Sequence, residues 1–158
     1  MTSNEQPISF DLDNHLFYLF GRALVARDRS LGEHLSMVGL TVNHWRILAT
    51  LSARGSLNVI RLAELTLIDR TTLSRIIDKM CKNGLVIRHE DEKDRRGKIL
   101  SLDTKGHFLL STVLPFASTQ NLMAVEGLSN DEIELFGKLL RKVITNLERC
   151  AMDIRLMS

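Results

Sequence analysis

The chain has 158 residues, 44% hydrophobic and 25% charged, a balance that suits one globular domain and excludes wholesale disorder. Lys and Arg number 21 against 19 Asp and Glu, so the molecule is no polycation, and any nucleic-acid binding must come from a local patch. Two cysteines, Cys81 and Cys150, neither in a CxxC pair, exclude a disulfide scaffold and fit a reduced, cytoplasmic protein. Met1 to Pro7 is polar, with no signal-peptide pattern. The longest uncharged run, Gly106 to Val125, carries Ser111, Thr112, Pro115 and Gln120 and is too polar for a membrane span.

From about Ser9 to Leu31, Leu12, Leu16, Leu19, Phe20, Ala23 and Leu24 follow three- and four-residue steps, which predicts a helix. Phe17 and Tyr18 widen its apolar arc, so it needs more than one partner surface. A second helix is expected over Thr41 to Ala53, with Thr41 as N-cap, Gly55 as stop, and Trp45, Leu48, Ala49 and Leu51 on its core side. Ser56 can cap a short third helix to about Leu65, and Asp69 a fourth that ends at Asn83-Gly84. In the fourth, Leu73, Ile76, Ile77 and Met80 share one face, which leaves Arg70, Thr71, Ser74, Arg75, Asp78 and Lys79 on the rest. Leu85 to His89 and Lys98 to Leu102 read as two strands joined by a charged hairpin loop. Asp103 can cap a fifth helix to about Glu126, with a kink expected at Pro115. The sixth opens on Ser129-Asn130-Asp131-Glu132, a capping box. Ile133, Phe136, Leu139, Leu140, Val143, Ile144, Leu147 and Ile154 then keep helical spacing for about six turns, and so long an amphipathic helix needs a partner.

The order is mainly α with a small β-hairpin: a helix-turn-helix and wing over about 41–103, flanked by helices that can form a separate layer. Between Arg54 and Lys98 there are eleven basic and seven acidic residues, while the remainder holds ten and twelve. The basic excess therefore sits in the helix-turn-helix and hairpin, as for a DNA-reading module on a neutral body. At the start of the fourth helix, Arg70, Thr71, Thr72, Ser74 and Arg75 have side chains suited to base edges and phosphates in a major groove. On the hairpin, Arg95 and Arg96 can reach a narrow minor groove, Asp94 can hold a guanidinium in place, and Lys98 can meet a phosphate.

These segments resemble the MarR family of winged-helix transcriptional regulators. The resemblance runs from the first helix to the last and is carried by Leu62-Ala63-Glu64, Asp69 to Arg75, Asn83-Gly84-Leu85-Val86, Asp94-Arg95-Arg96-Gly97-Lys98, Leu100-Ser101-Leu102 and Lys105-Gly106. It implies one domain over 1–158. Residues 9–35 and 104–156 would form a dimerisation region, and two modules of a homodimer would read a pseudo-palindromic operator in double-stranded DNA as a repressor. It places the minor-groove arginine at Arg96 buttressed by Asp94, with Arg95 as the alternative. It also implies release by a small phenolic, lipophilic or carboxylate effector, with His15, Tyr18, Arg22, His44, Trp45 and Arg46 as candidate lining; Trp45 beside Leu48 and Ala49 reads more readily as core than as ligand platform. The peroxide-sensing members carry a reactive cysteine near the start of the first helix, which this chain lacks.

His15, His34, His44, His89 and His107 are dispersed, so no metal site is expected. No cofactor is expected either, and the absence of GxSxG, P-loop, GxGxxG and HExxH patterns argues against an enzyme. The competing reading is a helical dimer acting as a protein-binding adaptor, which accounts for the terminal helices but not for the arginine-rich hairpin.

Overall fold

The computed structural model describes residues 11–90 and 98–157, with side chains to residue 150. Its elements are α1 (Leu16–Ser36), α2 (Val42–Arg54), β1 (Leu57–Asn58), α3 (Val59–Thr66), α4 (Arg70–Lys82), β2 (Val86–Glu90), β3 (Lys98–Leu102), α5 (Thr104–Ala124) and α6 (Asn130–Met157). The chain divides into two compact units, Met1–Ser118 and Thr119–Ser158. Among the described residues no helix is long and apolar enough to cross a membrane.

In the first unit the caps of α2 and α4 act where the sequence places them. The Thr41 hydroxyl accepts from His44 N–H at 3.3 Å, while His44 Nδ1 accepts from Thr41 N–H at 3.1 Å. This is a reciprocal capping box with an imidazole in the position where Glu or Gln is usual. Gly55 closes α2 at φ 74°, and Asp69 accepts from Thr72 N–H at 2.9 Å to start α4. In the second unit Glu132 accepts from Ser129 N–H at 2.7 Å and Ser129 Oγ accepts from Glu132 N–H at 3.3 Å.

Three boundaries differ from expectation. The first helix starts at Leu16: Asp11 accepts from both Asn14 N–H and Asn14 Nδ2, at 3.2 and 2.7 Å, a local turn that competes with helical bonding, and the expected start near Ser9 lies outside the described residues. It also runs past Leu31 to Ser36, because Leu31 and Leu35 are both fully buried in the core. The third helix is capped by Asn58, which accepts from Arg61 N–H at 2.8 Å, and not by Ser56. The segment before it is a strand that the sequence reading missed. β1 pairs with β3 through Leu57↔Leu100 and Asn58↔Ile99, so the expected hairpin becomes an antiparallel sheet in the order β1-β3-β2. α5 continues through Pro115 to Ala124.

One connected core runs through Leu31 and Leu35, Ile47 and Leu48, Leu62, Leu73, Ile77 and Met80, Val86, Leu100 and Val113. Each such side chain contributes roughly 1.5–3 kcal/mol when fully buried. α5 enters this core at very close range. Asp103 N–H donates to Leu85 O at 3.0 Å, and a Cβ on Gly106 would lie 2.1 Å from that same carbonyl oxygen, so no larger residue fits without a shift of the backbone. Between α3 and α4 the chain turns through Leu67 in the left-handed region, φ 56°, while Ile68 is buried beneath it.

Candidate nucleic-acid interface

α4 is positioned from below. Leu73, Ile77 and Met80 are fully buried and lock the helix to the core, so the opposite arc must face solvent. Arg70, Thr71, Thr72, Ser74 and Arg75 are all exposed, and Arg70 and Arg75 make no ion pair among the described residues. The two guanidiniums thus keep their full donor sets for an acceptor outside the chain.

The Ser74 hydroxyl is less open than its residue type suggests. Ser74 donates to Arg70 O at 2.9 Å. Hydrogen bonding from Thr72 holds the Asp69 carboxyl below the ordinary carboxylate range. With its proton used inside the helix, Ser74 can act toward a ligand chiefly as an acceptor. Thr72, Arg75, Ile76 and Lys79 line a shallow notch of about 130 Å³. Lys79, which the sequence marks only as surface, belongs to this cationic row.

At the wing, Lys98 is exposed opposite Glu90 at the open end of the β2–β3 ladder. Asp94, Arg95 and Arg96 lie outside the described residues. A contact the sequence reading missed ties the wing to α4: Arg88 Nη2 of β2 meets Asp78 Oδ1 at 2.6 Å. The two residues are ten apart across a helix-to-strand connection, so no helical or strand periodicity links them.

The six candidate effector residues do not form one pocket. Tyr18 and Arg22 share a face of α1, with the Arg22 guanidinium carbon 5.8 Å from the Tyr18 ring centre. They line an open groove of about 510 Å³ along that helix with Phe17, Val25, Ala26 and Arg29. His15 instead sits 6.2 Å from the Phe17 ring and is not in the groove lining. The other three are engaged elsewhere. His44 completes the α2 capping box. Trp45 is buried in the core. Arg46 pairs with Asp28 of α1 at 2.5 Å, on a carboxylate that also takes Arg27 at 2.8 Å. A helical face carries Tyr18 to Arg22, whereas the cap, the core and the ion pair each had a stronger local claim on the rest.

Burial, the largest influence, pushes the Cys81 thiol above its ordinary value; Arg88 opposes this and Asp78 adds to it. Such a thiol is a poor nucleophile. Cys150 is exposed. Among the described residues no group of three His, Cys, Asp or Glu side chains could hold a metal ion.

Comparison with known proteins bears on the same region. The MarR family model matches residues 38–97, which run from just before α2 to the wing. The Escherichia coli HTH-type transcriptional regulator PrsX is 29% identical over 148 residues, 92% of this chain and 89% of that protein. A MarR-family transcriptional regulator from Silicibacter pomeroyi has a crystal structure similar to this fold, with TM-score 0.81 and 25% identity over 89% of this chain and 95% of that one. A cysteine-to-serine mutant of MarR from E. coli, solved in complex with operator DNA, matches with TM-score 0.72 and 24% identity over 81% and 92% of the two chains.

Proposed function

We propose that this chain, which belongs to the MarR family of winged-helix transcriptional regulators, binds double-stranded operator DNA as a homodimer and represses transcription from a pseudo-palindromic site. The observation that carries the reading is α4: a helix fixed by Leu73, Ile77 and Met80 that turns Arg70, Thr71, Thr72, Ser74 and Arg75 outward. Arg70 and Arg75 supply bidentate donors for guanine or phosphate, and the hydroxyls accept from base amino groups. Arg96, buttressed by Asp94, and Arg95 engage the flanking minor groove, and Lys98 meets a phosphate.

A second copy is supported by the apolar surface left on the terminal helices. Leu16, Phe17, Leu19 and Leu24 of α1 and Leu135, Phe136, Leu139, Ile144 and Leu147 of α6 are all exposed in the single chain, and their burial against a partner is the ordinary fate of such faces. Two modules then read half-sites about one helical turn, roughly 34 Å, apart.

The α1 groove, with Tyr18 and Arg22, suits a small phenolic or carboxylate effector, whose acid group Arg22 holds against an aromatic wall. Release requires that the effector bind more tightly to the dimer whose modules are out of register with the operator.

The test is selection of the purified chain on a random duplex pool at two salt concentrations. Enrichment of a two-fold motif with half-sites about ten base pairs apart supports the reading. Salt-sensitive capture with no motif retains a DNA footprint without operator specificity. No capture at either salt overturns the reading in favour of an adaptor.

A further inference from the structure

α4 carries one acidic residue, Asp78, and it lies where a DNA-facing helix is least tolerant of one. At about 100° per residue, Asp78 falls four residues after Ser74 and seven after Thr71, on the exposed arc that also holds Arg75 and Lys82. An uncompensated carboxylate in that row would oppose the phosphates of any duplex brought against it. It is compensated: Arg88, reaching from β2, sets Nη2 2.6 Å from Asp78 Oδ1. Both side chains are substantially open to solvent, and an exposed pair adds little to fold stability, so stability is a weak reason for the contact.

We propose that Arg88 is a positioning residue for DNA binding, neutralising Asp78 on the face of α4 that meets the duplex. The proposal rests on the DNA-reading role of α4. It sets Arg88 apart from Arg70 and Arg75, whose donors have no partner carboxylate among the described residues. The rival geometry has Asp78 orienting Arg88 onto a phosphate, and it differs in sign: removal of Asp78 then weakens binding, whereas under charge masking it frees a cation and tightens it.

The experiment measures duplex affinity of the full chain across a salt series for wild type, Arg88→Ala, Asp78→Ala, the double variant and Arg88→Lys, with thermal melts to verify folding. Masking predicts that Arg88→Ala binds roughly tenfold more weakly and Asp78→Ala about threefold more tightly. The double variant returns close to wild type, and Arg88→Lys stays near it because a point charge suffices. Weaker binding by Asp78→Ala overturns the proposal. So does a double variant as weak as Arg88→Ala whose log–log salt slope has fallen by about one contact, because Arg88 would then be a phosphate ligand. If wild type binds no duplex, the DNA reading itself falls, an outcome distinct from wild-type binding without rescue.

Discussion

α4 and α6 make opposite use of amphipathicity. α4 spans 13 residues, and three of its apolar side chains are fully buried within the same chain. α6 spans 28 residues, yet Leu135, Phe136, Leu139, Ile144 and Leu147 each remain about half exposed. Sequence periodicity marks both helices equally, so periodicity announces a face but not what covers it. The winged-helix core closes on itself because helices α2 to α4 and the sheet converge on Leu48, Leu62 and Leu100. The apolar stripe of α6 is stabilised when another surface removes it from water.

The contrast can be broken at either end. Gly106→Ala should have the largest effect. Its new methyl meets Leu85 O at 2.1 Å, so α5 must move off the sheet, and unfolding free energy should fall by about 3 kcal/mol or more; denaturant titration measures this. A loss below about 0.5 kcal/mol would mean that the winged region is less tightly closed than described. Leu139→Glu tests the other side. It puts a charge on the open stripe of α6, so the self-association constant should weaken at least about thirtyfold while the winged region stays folded. Sedimentation gives the first and far-ultraviolet dichroism the second; unchanged association would remove α6 from the proposed dimer contact.

The smallest expected effect concerns the α2 cap. Burial, and after it Lys79, pushes the His44 pKa below its ordinary 6.5. Between those limits the unfolded chain binds the proton and the folded chain does not, so stability is complete above about 6.5 and declines as pH falls through the window beneath. Protonation also removes the Nδ1 acceptor that Thr41 N–H uses. His44→Gln keeps an acceptor at that position without titrating, so its melting temperature should vary less between pH 7 and pH 5 than that of wild type. Identical pH profiles would show that the cap is not what acid attacks.

Local chemistry was legible where it is decided within a few residues. Thr41, Asp69 and Ser129 cap as their types require, and the arc of Arg70, Thr71, Ser74 and Arg75 follows once Leu73, Ile77 and Met80 define the buried side. Phe17 was legible as apolar helix surface, but its exposure in the single chain was not. The effector set shows the same limit: Tyr18 and Arg22 share a face because they are four apart on one helix, whereas His44 and Arg46 were claimed by a cap and by Asp28, eighteen residues away from Arg46.

The sequence by itself determined the helix order, the caps at Thr41, Asp69 and Ser129, the two wing strands and which residues of α4 face outward, because each depends on periodicity or on a hydrogen bond spanning three or four residues. Only the tertiary structure decided that Leu57-Asn58 becomes a third strand, that Gly106 must be glycine because Leu85 O lies against it, and that Arg88 covers Asp78. A two-residue strand has no measurable alternation, a helical glycine with ordinary dihedrals gives no turn signal, and an ion pair between α4 and β2 exists only once the core has brought that helix and that strand together.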